Sequence, residues 1–287
     1  MDISGLLDNI LNWDSLVYEE FKDVVKGVGE DLILNIAKVP MTTFDELIED
    51  MGVNRREEMI EAFNLPVRGA RVDCERLRNP KSGSIPMLCG GEKEVRKTMS
   101  VKPNAWVKDT GNRKAERIKK LASNLLVPDR IRWTTWMSTA VYSDEPLIAN
   151  RYFMVKLKRD DRRWAKALAL WFNTTFGVAA IMSNMITTEG AFTELSIAQW
   201  KLLPVPDLNR LSDETLDRLA KAFDAVANVK LKLIIDQLKE CDETRTKIDV
   251  GFIKAINPGV DEGKLVRELR KVYRVIYEVM KKRGYTN

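Results

Sequence analysis

Apolar residues recur at helical spacing through the first 66 residues of the chain. Thr43, followed by Glu46 three residues later, forms a capping-box sequence that predicts the start of a helix, and Gly52 is expected to end that helix. The predicted helices cover residues 13–25, 30–39, 43–51 and 55–63. The pattern therefore predicts an N-terminal helical lobe over residues 1–66.

The pattern changes between residues 67 and 208, where Gly, Pro and Asn separate short β-prone runs. A basic helix at 113–122 interrupts these runs, and an apolar helix is expected from Arg163 to Ser183. Pro204 and Pro206 end the region. The predicted strands are 67–72, 85–88, 105–107, 131–137 and 152–157.

Helical spacing returns after residue 208. Leu216, Leu219, Phe223 and Val226 follow one face, which predicts a single helix over 212–240, roughly 43 Å long. Another helix is expected over 261–282. Their apolar seams either pack on their own domain or dock a partner subunit, and the pattern leaves both open. The pattern along the whole sequence predicts an α+β fold with an acidic helical lobe (1–66), a central mixed region (67–208) and long C-terminal helices (209–287).

Charge is distributed unevenly along the chain. Residues 1–50 contain 3 basic and 12 acidic side chains, a net charge of −9, whereas residues 51–166 contain 26 and 14, a net charge of +12. Clustered Lys and Arg bind polyanions because they release condensed counterions. The charged surface of a heat-adapted protein would give a similar excess. The acidic N-terminal segment is interpreted as a surface that docks protein.

The chain contains no histidine and three widely spaced cysteines. These facts exclude Ser-His-Asp and Cys-His nucleophiles, His-ligated zinc and a four-thiolate metal site. The odd count without a CxxC pair predicts reduced thiols at Cys74, Cys89 and Cys241, and a cytoplasmic location. The first 14 residues are acidic and unlike a signal peptide. The apolar run 167–188 is too polar for a lone membrane span, so no membrane partner is expected.

One stretch of 46 residues, 163–208, has a more specific pattern. An apolar run contains Asn173, Thr174 and Gly177, a Gly-bearing polar turn follows at 187–190, and the stretch closes on Leu-Leu-Pro-Val-Pro with Pro204 and Pro206. This order resembles the C-terminal target-recognition region of adenine-specific DNA methyltransferases, especially type IIG restriction-modification enzymes. It is also similar, more weakly, to type I specificity subunits. The resemblance covers about residues 125–208.

The resemblance implies double-stranded DNA as a partner and a target-recognition-like fold for residues 67–208. That family reads DNA sequence with this region and performs its chemistry elsewhere. The family's motif residues, Asn173, Thr174, Gly177, Pro204 and Pro206, are expected to support the fold. Asn173, in mid-helix among large apolar residues, is expected to be a buried anchor for a neighbouring loop.

The motifs for methyl transfer are missing from this sequence. A methyltransferase of this family needs an Asn/Asp-Pro-Pro-aromatic loop and a Gly-rich turn for S-adenosylmethionine. The Asn-Pro pairs at residues 79–80 and 257–258 continue differently, and no hydrophobic strand precedes Gly27 and Gly29. No catalytic residue, metal ligand or cofactor is therefore expected in this chain. S-adenosylmethionine or magnesium would enter only through a methyltransferase or nuclease partner subunit.

The basic residues between 130 and 163 are the densest supply of groups that could contact DNA. Arginine and lysine there are interpreted mainly as phosphate contacts. If 131–137 is a strand, Arg132, Thr134 and Trp136 share one face while Trp133 and Thr135 share the other, although both tryptophans would also fit in a core. The candidate DNA-binding residues are Arg130, Arg132, Trp136, Arg151, Lys156, Lys158, Arg162, Arg163, Thr187 and Thr188.

The sequence favours a sequence-specific DNA-recognition module or subunit of a restriction-modification or related defence system, without catalysis of its own. The alternatives are a protein-interaction or scaffold module, and a non-catalytic remnant of a fused methyltransferase-nuclease. A nuclease would need carboxylates gathered around Asp129 or Asp207. The only Glu-x-Lys after those residues, Glu262 to Lys264, sits where a helix start would place acidic residues.

Overall fold

The computed structural model of the chain describes residues 39–53, 56–69, 71–80, 83–91, 93–184, 186–187, 192–282 and 284–285. The two helices predicted before residue 40 lie almost wholly outside these ranges. Helices and mixed sheets together form an α+β fold, as the sequence predicts. The helices are α1 Arg56–Phe63, α2 Arg113–Lys120, α3 Arg162–Asn173, α4 Thr175–Asn184, α5 Ile197–Leu202, α6 Asp213–Val226, α7 Ile234–Lys239, α8 Glu243–Ile256 and α9 Glu262–Lys282.

The strands form a large sheet and three small ones. The large sheet has the order β2-β10-β7-β9-β5-β6 and is antiparallel except for the parallel pair β5 and β9. The small sheets are β11-β12-β8, β1-β13 and the hairpin β3-β4. The strands are β1 Met41–Thr43, β2 Ile48–Val53, β3 Val67–Arg68, β4 Arg71–Val72, β5 Ser84–Cys89, β6 Ala105–Lys108, β7 Ser123–Pro128, β8 Arg130–Arg132, β9 Val141–Asn150, β10 Tyr152–Leu157, β11 Ile186–Thr187, β12 Phe192–Glu194 and β13 Pro204–Pro206.

One hydrophobic core joins the sheets to the helices. Helix α3 lies against strands β7 and β9 of the large sheet, α6 packs on α3, and α8 packs on α6. Nine of the twelve residues of α3 are buried, including Trp164 and Trp171. Because α3 is apolar on nearly every side, it can only be an interior helix, and the C-terminal helices cover the side that the sheet leaves open.

The predicted helix from Thr43 is wrong. The Thr43 side chain makes no capping hydrogen bond, and a single 3-10 turn, Phe44–Leu47, separates β1 from β2. The backbone N–H of Phe44 donates to the carbonyl of Leu203 at 2.8 Å, and β2 pairs with β10. Pairing with strands more than 100 residues away has overridden a local capping signal. Residues 41–53 of the predicted acidic lobe are therefore built into the sheets and the turn between them, whereas the helix predicted over 55–63 is present as α1.

Two predicted helices are broken. The helix over 163–183 divides into α3 and α4 at Thr174, whose backbone is extended, and the two parts are bent by 72°. The helix over 212–240 stops at Val226, and a largely exposed, non-helical segment over 227–233 follows. There the N–H of Leu231 donates to the carbonyl of Lys97 and that of Ile234 to the carbonyl of Trp136. Helix α8, which the periodicity does not predict, follows.

The strand predicted over 131–137 is also too long, because the chain leaves the sheet after Arg132. The backbone N–H groups of Thr135 and Trp136 both donate to the carbonyl of Arg132, which closes a tight turn. Two strands that the sequence does not predict, β7 and β9, occupy the middle of the large sheet. Neither strand alternates between buried and exposed residues: β7 is almost continuously buried, and in β9 three consecutive exposed residues, 144–146, separate two buried runs.

The cysteines differ from the expectation of three reduced thiols. Cys74 and Cys89 form a disulfide with their Cα atoms 6.2 Å apart, and Cys241 is free. Residue 89 ends a buried strand, and the turn 74–77 lies next to it in the fold, which spacing along the chain does not reveal.

Across the described ranges, no single helix is long and apolar enough to cross a membrane. Helices α3 and α4 meet the requirement of length and composition only as a bent pair, and both are largely buried inside the protein.

Candidate nucleic-acid interface

Strand β8 brings two of the predicted arginines to the surface side by side. Arg130 and Arg132 are exposed, and Ile131 between them is buried opposite the buried Thr193 of β12. This alternation follows from the two-residue period of a strand. The apolar residue anchors β8 to the core, so both guanidinium groups are presented on the outer face of a small antiparallel sheet.

Arg151 joins these two arginines from the turn between β9 and β10. Its carbonyl accepts a hydrogen bond from the N–H of Asp129 at 3.1 Å, and its backbone has a φ of 64°. Burial raises the pKa of the Asp129 carboxyl, while Arg151 and Arg130 act in the opposite direction. We call the set Arg130, Arg132 and Arg151 the β8 corner.

The β8 corner also contains a competing carboxylate. Glu194 lies opposite Arg130 on β12, and its carboxylate is 2.7 Å from the Arg130 Nε. Both side chains are about half exposed, so this ion pair is weak and easily exchanged. An anion with more than one oxygen can therefore displace Glu194 from Arg130 at small cost.

A second group of cations, which the sequence analysis did not single out, lies near the β8 corner. The guanidinium of Arg96 sits 4.5 Å from the centre of the Trp136 ring, and that ring packs 6.4 Å from Tyr152, the neighbour of Arg151. The hydrogen bond that Lys97 donates to the carboxylate of Glu94 is the main cause that lowers the pKa of that group. The nearby positive charges of Lys97, Lys230 and Lys93 lower it further. The Lys-Glu-Val-Arg-Lys run at 93–97 is the signal that marks this group.

Four other predicted cations lie away from the β8 corner. Strand β10 is six residues long, or about 20 Å, and places Arg151 at one end and Lys158 at the other. Lys156 lies 3.3 Å from Glu49, and Lys158 donates to the carbonyl of Glu46 at 2.9 Å. The structure thus divides the predicted set. Lys156, Lys158, Arg162 and Arg163 form a second group, which we call the far end of β10.

At the far end of β10, Arg163 is already engaged within the protein. Its guanidinium contacts Asp161 at 2.8 Å, Asp213 at 2.9 Å and Asp217 at 3.1 Å. The hydrogen bonds from Arg163 hold the pKa of the Asp161 carboxyl below its usual range. Arg163 therefore ties the start of α3 to the start of α6, and phosphate would have to compete with three carboxylates. Arg162 is exposed beside it.

The predicted shared face of Arg132, Thr134 and Trp136 does not exist. Thr134 and Trp136 are each 7% exposed, and Trp133 is fully buried with its Nε1 donating to Thr193 at 3.0 Å. The turn after Arg132 rotates these residues into the core. Trp136 therefore supports the surface from beneath and does not contact a bound molecule directly.

The predicted turn residues are only partly described. The backbone of Thr187 lies in β11, opposite Thr193 of β12, and Thr188 lies outside the described residues. Since the sheet order is β11-β12-β8, Thr187 is two strands away from the β8 corner.

Asn173 has the buried, loop-anchoring position that its sequence context predicts. Its Oδ1 accepts the N–H of Thr139 at 2.9 Å, and its Nδ2 donates to the carbonyls of Ala140 and Ala169, both at 2.8 Å. The side chain is 1% exposed. It fixes the loop that leads from β8 to β9, so the motif holds the backbone behind the β8 corner.

The other motif residues also serve the fold. The hydroxyl of Thr174 donates to the carbonyl of Trp171 at 2.6 Å and accepts the N–H of Gly177 at 3.0 Å, which shapes the break between α3 and α4. Pro204 and Pro206 are buried in β13 against β1, where the carbonyl of Pro204 accepts the indole N–H of Trp171 at 3.1 Å.

Two buried charged residues on α8, which the sequence analysis missed, complete this network. Arg245 donates to the carbonyl of Asn173 and, at 2.7 Å, to Gln237. Asp249, one helical turn further on, accepts the N–H of Thr175 at 2.7 Å and the hydroxyl of Tyr273 at 2.7 Å. Arg245 is 1% exposed and Asp249 fully buried. A charged pair at i and i+4 in an apolar helix is the signal that could have revealed them.

The burial of Asp249 predicts a dependence of stability on pH. Burial raises the pKa of the Asp249 carboxyl, against the opposing effects of Arg245 and of its hydrogen bonds. A raised folded-state pKa stabilises the fold fully below the unfolded pKa, near 3.9, and this stabilisation is lost as the pH rises through the folded-state pKa. Urea denaturation of the wild type and of Asp249→Asn is measured from below the unfolded pKa upward through the folded-state pKa. The stability of the wild type relative to that of the variant should fall as the pH rises. The opposite trend would mean that the folded protein lowers the pKa of the Asp249 carboxyl.

Within the described part of the chain, no three Asp, Glu or Cys side chains are grouped so that they could hold a metal ion. Asp207 accepts the N–H of Asn209 at 3.1 Å and thereby caps the turn at 208–210, and Asp129 lies between Arg130 and Arg151.

Comparison with solved structures finds a fold similar to that of this chain in a restriction endonuclease. No protein-family model matches the chain, and no curated protein matches it either. The structure is similar to the type IIG restriction endonuclease BpuSI, with a TM-score of 0.57 and 12% identity over 91% of this chain. A type I restriction-modification S subunit from M. genitalium gives a TM-score of 0.32 at 12% identity, with 71% of this chain and 40% of that chain covered. The chain spans 34% of the length of BpuSI, and it has the fold of that part of the enzyme.

Proposed function

We propose that this chain is a recognition module or subunit that binds double-stranded DNA sequence-specifically in a restriction-modification or related defence system. The observation that carries the proposal is the likeness to part of a restriction endonuclease over 91% of the chain. It agrees with the target-recognition resemblance of residues 125–208, which rests on sequence alone. The two lines of argument are independent, because sequence identity with BpuSI is only 12%.

In this proposal the β8 corner contacts the phosphate backbone. Arg130, Arg132 and Arg151 are exposed within one small region, and arginine binds phosphate through two parallel hydrogen bonds. Phosphate contacts set the position of a protein on the duplex, whereas base contacts set specificity. Thr187, on β11 of the same sheet, and Thr188, which lies outside the described residues, are the candidates for contacts with base edges.

No catalytic role is proposed for the residues of this chain, because the loop sequences for methyl transfer are missing from them. S-adenosylmethionine or magnesium would act in a methyltransferase or nuclease partner subunit. A remnant of a fused enzyme that still binds DNA fits the same proposal.

The proposal is tested by fluorescence anisotropy with a mixed-sequence duplex across a salt series. One variant combines three substitutions in the β8 corner: Arg130→Gln, Arg132→Gln and Arg151→Asn. Asparagine is chosen at residue 151 because it tolerates the positive φ there. Each lost phosphate contact reduces the log–log salt slope by about 0.9, so the combined variant should show a slope shallower by about 2.7.

The matched control removes three cations at the far end of β10: Lys156→Gln, Lys158→Gln and Arg162→Gln. This variant should keep the wild-type slope. If it alone loses salt dependence, the interface lies at that end of the molecule. If the wild type does not bind duplex DNA at low salt, the protein is better described as an interaction or scaffold module.

A further inference from the structure

Helix α9 is buried along one face and exposed along the other. Its 21 residues place Leu265, Leu269, Tyr273, Ile276 and Met280 in the core at intervals of three and four. Such a stripe occupies well under half of the helix circumference. Beside this stripe Val266, Val272, Tyr277 and Val279 are partly buried against the core, and the remaining face of this element, about 30 Å long, is exposed.

The exposed side of α9 is almost entirely basic. Between residues 264 and 282 the exposed positions hold seven cations and one carboxylate, Glu278. Several of them repeat at intervals of three or four, so they line up along the helix rather than around it. We call these residues the α9 basic face: Lys264, Arg267, Arg270, Lys271, Arg274, Lys281 and Lys282.

Among the described residues, no carboxylate neutralises the three arginines of the α9 basic face. Lys271 is paired with Glu268 at 2.9 Å, and Lys281 lies 3.8 Å from Glu278. By contrast, Arg267, Arg270 and Arg274 have no carboxylate within 4 Å among the residues that the structure describes. Three uncompensated guanidinium groups in one row repel each other, and a polyanion relieves that repulsion.

The C-terminal end of the α9 basic face adjoins the β8 corner. The chain turns back after α9, where the N–H of Tyr285 donates to the carbonyl of Met280 at 3.0 Å. The buried Tyr285 ring then packs 6.4 Å from that of Trp133, the residue that follows Arg132 on β8. Lys281 and Lys282 are therefore close to the small sheet, and the α9 basic face leads away from it.

We propose that the α9 basic face is a second phosphate-binding surface that continues the β8 corner along the same DNA duplex. The cations run from Lys264 to Lys282, 18 helical steps of 1.5 Å or about 27 Å, which matches the length of about eight base pairs at 3.4 Å each. The inference rests on the proposed function, and it assigns to α9 a role in DNA binding that is separate from subunit docking. An extended row of arginines suits a linear polyanion better than a compact acidic protein surface.

The test neutralises the three arginines together as Arg267→Gln, Arg270→Gln and Arg274→Gln. Glutamine is a good helix former, and all three side chains are exposed, so the fold is retained. On a 30-base-pair duplex the salt slope should fall by about 2.7. Between 50 and 200 mM salt the wild type would then lose about 40-fold more affinity than the variant.

Two further variants serve as controls. Arg267→Lys, Arg270→Lys and Arg274→Lys keep the charge and should restore the slope. Lys108→Gln, Arg113→Gln and Lys120→Gln remove three exposed cations from β6 and α2 and should leave the slope unchanged. On a 10-base-pair duplex, too short to reach both surfaces, the difference between wild type and the α9 variant should shrink.

The outcomes separate this inference from the proposed function. If the wild type binds and the variant in the β8 corner is impaired while the α9 variant binds like the wild type, the inference about α9 is overturned and the proposed function stands. If the wild type fails to bind any duplex at low salt, both are overturned. Equal slope losses in the α9 variant and in the β6 and α2 control would also overturn the inference about α9, because binding would then reflect net charge alone.

Discussion

Replacement of Gly177 by alanine is expected to lower the free energy of unfolding by about 3 kcal/mol. A Cβ atom at this position would lie 2.1 Å from the carbonyl oxygen of Trp171, 2.7 Å from the Cα of Phe172 and 2.9 Å from the carbonyl carbon of Trp171. All three are backbone atoms at the end of α3, so no change of side-chain rotamer relieves the overlap. Urea denaturation followed by tryptophan fluorescence measures the loss.

The matched control is Gly251→Ala in helix α8. Its Cβ would meet only the Cβ of Ala222 at 3.5 Å, an ordinary contact. Alanine in a helix interior is favoured over glycine by up to about 1 kcal/mol, so this variant should be as stable as the wild type or more stable. If the two variants were equally destabilised, the close approach of α3 and α4 would not be the reason for a glycine at 177.

Arg245→Met is expected to lower the free energy of unfolding by about 3–5 kcal/mol, the usual cost of removing one member of a buried charged network. Methionine fills most of the volume but donates no hydrogen bond. The carbonyl of Asn173 and the amide oxygen of Gln237 would lose their donor, and Asp249 would lose the nearby positive charge. Thermal and urea denaturation of the purified protein measure the effect.

Lys247→Met provides the comparison, two residues further along the same helix. Lys247 is 62% exposed and paired only with Glu243, so its loss should change stability by less than about 0.5 kcal/mol. A double variant, Arg245→Met with Asp249→Asn, removes both charges. Its loss of stability should be smaller than the sum of the losses in the two single variants. Additive losses would show that Arg245 and Asp249 do not interact.

These two predictions bear on the proposed interface as well as on the core. Asn173 holds the backbone at 139–140, and the segment between β8 and that loop contains Trp133 and Trp136. Arg245 in turn holds the carbonyl of Asn173. A loosened network would therefore displace the segment that follows Arg132. Partially destabilised variants should bind DNA more weakly at temperatures well below their unfolding midpoint.

Local patterns predicted several parts of the molecule correctly. Strands β5, β6 and β10 and helices α2 and α9 lie where periodicity and turn residues place them, whereas the single strand predicted over 67–72 is the hairpin of β3 and β4. In each case the signal and the structure involve residues close together in sequence. The role of Asn173 was predicted for the same reason, since a lone amide among large apolar residues of one helix must find its partners inside the protein.

Long-range contacts account for the errors. No helix starts at Thr43 because β1 and β2 pair with strands more than 100 residues away. The helix predicted over 212–240 is interrupted where the backbone donates hydrogen bonds to the carbonyls of Lys97 and Trp136. Strand β7 shows no alternation because almost all of its residues are buried, and β9 shows none because three consecutive exposed residues, 144–146, separate two buried runs. The Cys74–Cys89 disulfide depends on a proximity that exists only after folding.

For the candidate site, the sequence determined which residue types are present: a basic middle region, no histidine, and a motif that resembles a target-recognition region. Only the tertiary structure decided which cations share a surface. It separated Arg130, Arg132 and Arg151 from Lys156 and Lys158 by the length of one strand, and it buried Trp136. It also placed the end of α9 beside β8 through the contact of Tyr285 with Trp133, residues 152 positions apart. The physical reason is that side-chain chemistry is local to a residue, whereas a binding surface is defined by distances between residues, and those distances are set by the packing of the whole chain.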